Sequence, residues 1–494
     1  MSGAALSSTA LGLGLAGMLL SLGLLIWFAY RGWTVLLLAP IAAMLAALVS
    51  GEPVLAHWTQ TFMSSAARFL AQFFPLFLLG ALFGKLMEDS GSVDAIAQFM
   101  TDRLGPRRAI LAVVIGGAVV TYGGVSLFVA FFVLAPMAQA LFRAAHIPRR
   151  LMPAAITLGT STFTMSALPG TPAIQNAIPM PFFGTTPFAA PGLGVIASIV
   201  MIAFGLWWLA RQEAAARRAG EGFGDDDAPD SLKDSNLVRE RATVSQSFDP
   251  AEIERGAVSE RLPPFGIAIA PLVVVVCANF TMNMIVFRHI DASYLADARF
   301  GGTTLSAVSG VWGVSVALAL AVVLLIVLNR SRLGALRESV DAGANASVLP
   351  VLSVGSLVGY GAVIAALPAF DLVREWVLGI GGGPLVSLAV ATNLLAALTG
   401  SASGGLTIAL DALGGTYLQL AAQHHIDPAL LHRVAVMSSG TLDSLPHNGA
   451  VVTLLSVCGT THKQSYRDMV MVGIVGALGA LGVVVLLGSF VGSF

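Results

Sequence analysis

Long apolar stretches constrain this chain more than any other feature. A helix that crosses a bilayer needs about 20 mostly apolar residues, and twelve stretches qualify as candidate spans. They cover residues 10–30, 33–50, 67–87, 109–142, 151–188, 190–210, 264–287, 305–328, 345–368, 385–414, 433–458 and 468–492. Only 11% of the residues are charged, against about 25% in ordinary soluble proteins. The sequence therefore predicts an all-α polytopic membrane protein and excludes a soluble multidomain enzyme.

One polar stretch, residues 211–262, interrupts the apolar pattern. It contains Asp225-Asp226-Asp227 and many Arg and Glu residues, and it shows no apolar periodicity. Segments of low hydrophobicity and high charge bury too little apolar surface to fold. We therefore predict a linker there, between an N-terminal half, 1–210, and a C-terminal half, 263–494.

Four of the apolar stretches are interrupted by glycine or proline, in the same order in each half. The interrupting residues include Gly123, Gly124, Pro169 and Gly170 in the first half and Gly404, Gly405 and Pro446 in the second. The Gly-Gly motifs are 281 residues apart and the Leu-Pro motifs 277. This order predicts an internal repeat, in which each half has about five transmembrane helices, a re-entrant hairpin at Gly-Gly and a broken helix at Leu-Pro. Five crossings are an odd number, so the two repeats are predicted to be inverted.

The distribution of Lys and Arg favours this topology. With the N-terminus outside and the linker set aside, 13 basic residues fall inside and five outside, as expected because cytoplasmic loops are enriched in Lys and Arg. The sequence predicts both termini outside and the 211–262 linker in the cytoplasm. Amphipathic stretches at 91–105 and 369–381 are predicted to lie on the inner and outer membrane surfaces.

The breaks are the candidate substrate site. Non-helical backbone at membrane depth persists only where protein or a water-filled cavity covers it, and broken helices surround the binding site of many secondary transporters. The alternative is that Gly and Pro only permit kinks and close packing. Small polar residues cluster at all four breaks, which favours the site. The candidate substrate-binding residues are Gly123, Gly124, Ser126, Thr171, Gln175, Asn176, Ser401, Ser403, Gly404, Gly405, Thr407 and Asn448.

Charged residues near the breaks are few. Every Lys and Arg lies near the end of a predicted span, so a buried anion would be held by hydroxyls, amides and the positive ends of half-helices. That environment suits a monocarboxylate better than a di- or tricarboxylate. Ionisable residues within membranes are costly and usually functional, and the candidates for ion or proton coupling are Asp443, His447 and Asp411. A structural role beside the proline is the alternative for His447, and a place at the outer mouth is the alternative for Asp411.

Other chemistry is not indicated. The two cysteines, Cys277 and Cys458, lie in apolar runs and predict neither a disulfide framework nor a zinc site. The net charge of −1 gives no attraction to nucleic acid. We predict no cofactor, no metal and no catalytic residue, and the lipid bilayer as the surrounding partner.

Residues 162–176, 401–405 and 440–449 resemble the gluconate permease (GntP) family of the ion transporter superfamily. The resemblance covers the chain apart from the linker. It implies import of small sugar acids or hydroxy acids, usually by proton symport, across the bacterial inner membrane. It also implies inverted repeats with hairpins and, commonly, homodimers. The Pro-Pro-His-Pro-Gly-Pro run of gluconate-type members is replaced here by Leu-Pro-Gly-Thr-Pro at 168–172, so the chain resembles the hydroxybutyrate-type branch more closely.

The sequence thus predicts a secondary transporter that imports a small hydroxy- or sugar-acid monocarboxylate, such as 3-hydroxybutyrate or gluconate, by proton symport. The substrate carboxylate would meet backbone N–H groups and hydroxyls around 401–405 and 171–176, and Asp443, with or without His447, would carry the proton. Sodium coupling stays open, because hydroxyls, amides and freed carbonyls also bind Na⁺. An intramembrane enzyme and a channel are further alternatives, although the sequence has no His-Glu-x-x-His or Gly-x-Ser-x-Gly motif and no rings of charge.

Overall fold

The computed structural model describes residues 8–31, 33–125, 127–224, 258–259, 261–399, 401–446 and 448–494. Within these ranges the regular elements are all helical, as the sequence predicted. The first half contains α1 Ser8–Tyr30, α2 Val35–Val49, α3 Val54–Asp89, α4 Ser92–Leu104, α5 Ala109–Tyr122, α6 Leu127–Ala144, α7 Met152–Thr160, α8 Phe163–Ser166, α9 Ile174–Ala177, α10 Pro179–Phe183 and α11 Pro191–Arg218. The second half contains α12 Phe265–His289, α13 Leu305–Leu328, α14 Leu336–Ala366, α15 Phe370–Leu378, α16 Pro384–Thr399, α17 Ala402–Gln423, α18 Pro428–Thr441, α19 Gly449–Val457 and α20 His462–Val491.

Seven helices of the described residues are long and apolar enough to cross a membrane. They are α1, α3, α11, α12, α13, α14 and α20. The helix pair Ser92–Leu104 and Pro106–Tyr122 is bent by 99°, and α2, α6 and α16 are shorter apolar helices. The chain is therefore a multi-pass helical protein, and helices α4 and α15 occupy the two stretches that were predicted to be amphipathic.

Both Gly-Gly stretches form helical hairpins. In the first, Gly116 and Gly117 of α5 lie against Leu134 of α6, so the arms run back along each other from the turn at 123–126. In the second, the hydroxyls of Ser387 on α16 and Tyr417 on α17 are 2.7 Å apart. These contacts join positions nearly equidistant from each turn, as an antiparallel pair requires.

Helix starts near the breaks follow ordinary capping chemistry. Ser401 caps α17 by accepting a hydrogen bond from the Gly404 N–H, 3.2 Å away, and Asn448 caps α19 by accepting from the Ala450 N–H, 2.7 Å away. Asp427 precedes Pro428 at the start of α18 and accepts from the Ala429 N–H. Short polar side chains at these positions satisfy N–H groups that the first turn leaves unpaired.

The two halves have the same order of elements and pack into each other. A long helix, a short helix, a hairpin, a broken segment and a final long helix run from α3 to α11 and again from α14 to α20. The equivalent helices α3 and α14 pack together: Gly343, Gly355 and Gly359 of α14 lie against Leu82, Leu70 and Phe62 of α3, respectively. Residue numbers rise along α14 as they fall along α3, so these two helices are antiparallel.

The described parts of the predicted linker pack against the rest of the chain. Residues 211–218 continue α11, because its first stretch retains helix-forming Ala, Arg and Glu residues. The Phe223 ring is buried beneath the guanidinium groups of Arg143 and Arg149, 5.3 and 4.8 Å from the ring centre. At the other end, the Ser259 N–H donates to the Asp89 carbonyl at 2.9 Å. The start of the linker is therefore attached beside the C-terminal end of α6, and its last described residues are attached to the C-terminal end of α3. Residues 225–257 lie outside the described residues.

Candidate substrate-binding site

A cavity of about 350 Å³ lies where the four breaks meet. The hairpins and broken segments contribute Thr121, Gly124, Val125, Thr157, Ser161, Ser166, Pro172, Gln175, Thr399, Ser401, Ser403, Gly440, Asp443, Ser444 and Asn448. Helices α3 and α14 complete the wall with side chains that include Leu76, Ser353 and Leu357. Asp443 is the only charged side chain among the described residues that line the cavity.

The tip of the first hairpin depends on glycine. Gly124 adopts a φ of +98°, a conformation that L side chains rarely adopt. A Cβ atom at this position would also lie 3.1 Å from the Pro172 ring of the first broken segment. The backbone of the hairpin tip therefore touches the break directly, without an intervening side chain.

Asp443 joins the starts of two helices. The Asn448 side chain donates to Asp443 Oδ1 at 2.9 Å while it caps α19. The Ala402 N–H, at the start of α17, also donates to the Asp443 carboxyl group. The first turn of a helix presents unpaired N–H groups and a partial positive charge. Two such N-termini and one carboxyl group thus converge on the same wall of the cavity.

Four hydroxyls of the first broken segment already have hydrogen-bond acceptors, whereas the buried Thr157 hydroxyl on the cavity wall has no partner among the described residues. Thr160, Thr162, Thr164 and Ser166 each donate to the carbonyl oxygen four residues earlier, at distances between 2.7 and 3.0 Å. A hydroxyl has one hydrogen to donate. In this geometry these side chains can accept a hydrogen bond from a ligand but do not donate one to a carboxylate.

The predicted substrate residues fall into two groups. Gly124, Gln175, Ser401, Ser403 and Asn448 line the cavity. The others that are described lie behind the wall: Gly123 against Leu272, Gly404 against Leu357, Gly405 against Ala396, Thr171 and Asn176 buried beside Pro187, and Thr407 bonded to the Ser403 carbonyl.

The three candidates for ion or proton coupling differ in their position relative to the cavity. Asp443 lines the cavity, whereas Asp411 is exposed on α17 and does not line it. His447 and the substrate candidate Ser126 lie outside the described residues.

Two candidate functional residues, His432 and Arg433, were not predicted from the sequence. His432 bonds to Asn176 Oδ1 through Nε2 at 3.1 Å and to the Thr185 hydroxyl through Nδ1 at 2.6 Å. Arg433 is fully buried, which corrects the expectation that Lys and Arg stay at span ends. The sequence does contain a pattern that could have identified Arg433, because Asp427-Pro428 is a helix start. That start places Arg433 inside a helix, two turns before Gly440 and on the same face.

Comparison with known proteins agrees with this architecture. Residues 11–187 match the family described as GntP family permease. Over 458 residues the chain is 41% identical to the uncharacterized transporter YxjC of Bacillus subtilis (strain 168), covering 91% of this chain and 94% of that protein. A stretch of 141 residues is 30% identical to the high-affinity gluconate transporter of Escherichia coli (strain K12), covering 28% of this chain and 31% of that relative.

A solved structure shares the fold. Neisseria gonorrhoeae MtrF, described with a class of antimetabolite efflux pumps, matches with a TM-score of 0.54 and 15% identity over 88% of this chain and 85% of that one. This likeness concerns the fold alone, whereas the similarity to YxjC extends along almost the whole sequence. The chain belongs to the GntP family of permeases, and it is a multi-pass membrane transporter rather than an enzyme.

Proposed function

We propose that this protein is a secondary symporter that imports a small hydroxy- or sugar-acid monocarboxylate, such as 3-hydroxybutyrate or gluconate, together with a proton, across the bacterial inner membrane. The observation that carries the proposal is the convergence of the α17 and α19 N-termini and Asp443 on one cavity. The relative named as a gluconate transporter supports an organic acid as the substrate class.

The carboxylate of the substrate would bind the free N–H groups in the first turns of α17 and α19. Backbone N–H groups at helix N-termini bind anions without a basic side chain. No Lys or Arg lines the cavity among the described residues, and the Thr160, Thr162 and Ser166 hydroxyls of the first break already donate to carbonyls. One pair of helix starts suits one carboxylate, which favours a monocarboxylate.

Proton coupling follows from the position of Asp443. Its carboxyl group lies on the same helix starts that would receive the substrate. A substrate carboxylate bound at these helix starts and an ionised Asp443 would repel each other strongly, because the site is partly desolvated. Protonation of Asp443 removes the repulsion, so substrate and proton would occupy the cavity together.

The packing supports alternating access between inverted repeats. Equivalent helices α3 and α14 are antiparallel, as inversion requires. The cavity extends to Ile26 and Met469, which lie close in sequence to Arg31 and Arg467, two basic residues predicted to be cytoplasmic. Away from these residues, α10 packs through Met180 against Gly310 of α13. We assign this arrangement to an inward-facing state with α10 as the outer closure.

Reconstitution into proteoliposomes tests the function. Labelled 3-hydroxybutyrate and gluconate are offered under an imposed pH gradient, or under a sodium gradient at equal pH. We expect accumulation with the pH gradient, its loss in Asp443→Asn, and its retention in Asp341→Asn, a matched change at an exposed position of α14. Accumulation driven by sodium alone would assign sodium as the coupling ion, and uptake indifferent to both gradients would refute symport.

A further inference from the structure

We infer that Arg433 is the fixed counter-charge of the transport cycle, and that transport is electroneutral with one proton per monocarboxylate. This inference rests on the proposed function, since it assumes that an anion and a proton share the cavity. It adds a residue that does not line the cavity and a stoichiometry that the cavity alone does not give.

Arg433 is a buried cation without an acidic partner. Its guanidinium donates to the Ala189 carbonyl through Nε and Nη2, at 3.1 and 2.7 Å, and to the Ser166 carbonyl through Nη1, at 3.1 Å. None of the carboxyl groups in the described part of the chain forms an ion pair with it. Carbonyl oxygens satisfy its hydrogen bonds but leave its full positive charge unbalanced.

The other fully buried charges of the described residues are balanced locally. Lys85 lies 3.0 Å from Asp89 on the next turn of α3. Asp468 accepts from Arg150 at 2.9 Å and from the Trp208 ring N–H at 3.0 Å. Arg433 is therefore the exception, and the charge it requires has to come from the cavity side.

Ser166 connects the guanidinium to the cavity wall. Ser166 lines the cavity and offers its carbonyl oxygen to Arg433. Gly440, two turns beyond Arg433 on α18, also lines the cavity, and a Cβ built on it would lie 3.4 Å from the Ser166 Cβ. In a medium of low dielectric constant the charge acts through such a thin wall.

The neighbouring titratable groups add no charge to those of Arg433 and Asp443. The Tyr122 hydroxyl donates to the Pro169 carbonyl at 2.7 Å and stays neutral. The Asn176 amide donates to two carbonyls and therefore turns its oxygen to His432. His432 then donates through Nε2 and accepts the Thr185 hydroxyl at Nδ1, the pattern of a neutral imidazole. On the Asp443 side, Tyr466 donates to the Ser444 carbonyl, and His447 is outside the described residues.

The charge balance gives the stoichiometry. With Asp443 ionised and the cavity empty, Arg433 and Asp443 sum to zero. With one monocarboxylate bound and Asp443 protonated, the sum is again zero. Substrate alone leaves −1, and a proton alone leaves +1. A net charge is costly to carry through a low-dielectric interior, so the two neutral forms are the ones that reorient.

Voltage is the decisive test. Wild-type proteoliposomes are loaded with buffer at equal pH on both sides, and a potassium gradient with valinomycin imposes the membrane potential. We expect less than a twofold change in initial 3-hydroxybutyrate or gluconate uptake, and no substrate-evoked current on a solid-supported membrane. Uptake driven by voltage, or a current that scales with uptake, would overturn the inference while leaving symport intact. If neither acid is taken up under any gradient, the proposed function itself fails.

Variants separate charge from structure. In Asp443→Asn the loaded carrier stays neutral beside Arg433, whereas the empty carrier is +1. We expect net pH-driven uptake to fall at least tenfold further than exchange of internal for external substrate. Equal loss of exchange and net uptake in this variant would contradict the charge count.

Substitutions at Arg433 complete the test. Arg433→Lys keeps the charge and loses the forked contact, so transport stays voltage-insensitive even if it is slower. Arg433→Gln leaves the loaded carrier at −1, so we expect a KM at least tenfold higher and a dependence on voltage. A purely structural role predicts slow, voltage-insensitive transport in both variants. Should Arg433→Gln fail to fold, the wild-type voltage measurement and Asp443→Asn exchange still decide the matter.

Discussion

The second hairpin offers a quantitative test of how closely its arms must approach. We consider Gly405→Ala on α17, with Gly415→Ala on the same helix as the matched control. A Cβ at Gly405 would lie 2.3 Å from the Cα and N atoms of Ala396 on α16. A Cβ at Gly415 would meet nothing within 4 Å. Both changes raise helix propensity equally, by about 1 kcal/mol, so their difference isolates the packing at the hairpin.

The magnitude follows from the contact distance. Carbon atoms pack at about 3.5–4.0 Å, and the obstructing atoms belong to the backbone of Ala396 rather than to a flexible side chain. The arms must therefore separate by about 1 Å or more. Overpacking of this kind costs about 1–3 kcal/mol. We expect Gly405→Ala to unfold at a lower temperature than Gly415→Ala, with a difference in unfolding free energy of about 1–3 kcal/mol.

The assay is thermal unfolding of both purified variants in the same detergent, followed by initial uptake in proteoliposomes. Separation of the arms displaces the start of α17, whose Ala402 N–H meets Asp443, so uptake is expected to fall in Gly405→Ala and to persist in Gly415→Ala. Equal unfolding temperatures for the two variants would refute the close-approach reasoning. Equal uptake rates would refute the link between the arms and the cavity.

Three further results are expected. A Met180→Cys and Gly310→Cys pair, in a background whose native cysteines are replaced by serine, should form a disulfide, because the two Cβ positions are 3.1 Å apart. The disulfide should stop transport until it is reduced. Uptake by the oxidised pair would exclude α10 as a moving closure. Asn448→Ala should lower the free energy of unfolding by about 1 kcal/mol through loss of the α19 cap, measured by thermal unfolding, and an unchanged unfolding temperature would contradict this. Phe223→Ala should speed tryptic cleavage after Arg217 or Arg218 several-fold, since it frees the start of the linker, and wild-type digestion kinetics would show that the anchor is unimportant.

Local patterns were sufficient to predict the helices and hairpins. Apolar length marked the spans, and Gly-Gly between apolar arms marked the hairpins. Gly124 forms the first turn in a conformation that L side chains rarely adopt, whereas Gly404 and Gly405 lie in α17 just after the second turn. The order of breaks along the sequence also predicted the matching order of elements in the two halves. These features depend on neighbours in sequence, which is why they could be read directly.

Features that depend on distant backbone groups could not be predicted. Arg433 is stabilised by carbonyl oxygens of residues 166 and 189, more than 240 positions away, and no periodicity reveals which carbonyls a broken helix leaves unpaired. Thr160 and Thr162 belong to the polar residues that cluster at the first break, yet they donate to carbonyl oxygens of their own segment. Sequence reasoning identified the polar residues at the breaks but not the direction of their hydrogen bonds.

The interleaving of α3 and α14 has a consequence for biosynthesis. Lys85 on α3 lies against Gly343 of α14, and ribosomes add about 5–20 residues each second. Roughly 10–50 s therefore pass between the synthesis of the two helices. During that interval the inserted first half lacks the helix that covers its buried lysine. The nascent chain is then an assembly intermediate whose lifetime is set by translation, and slow codons between the halves would prolong its exposure to quality-control proteases.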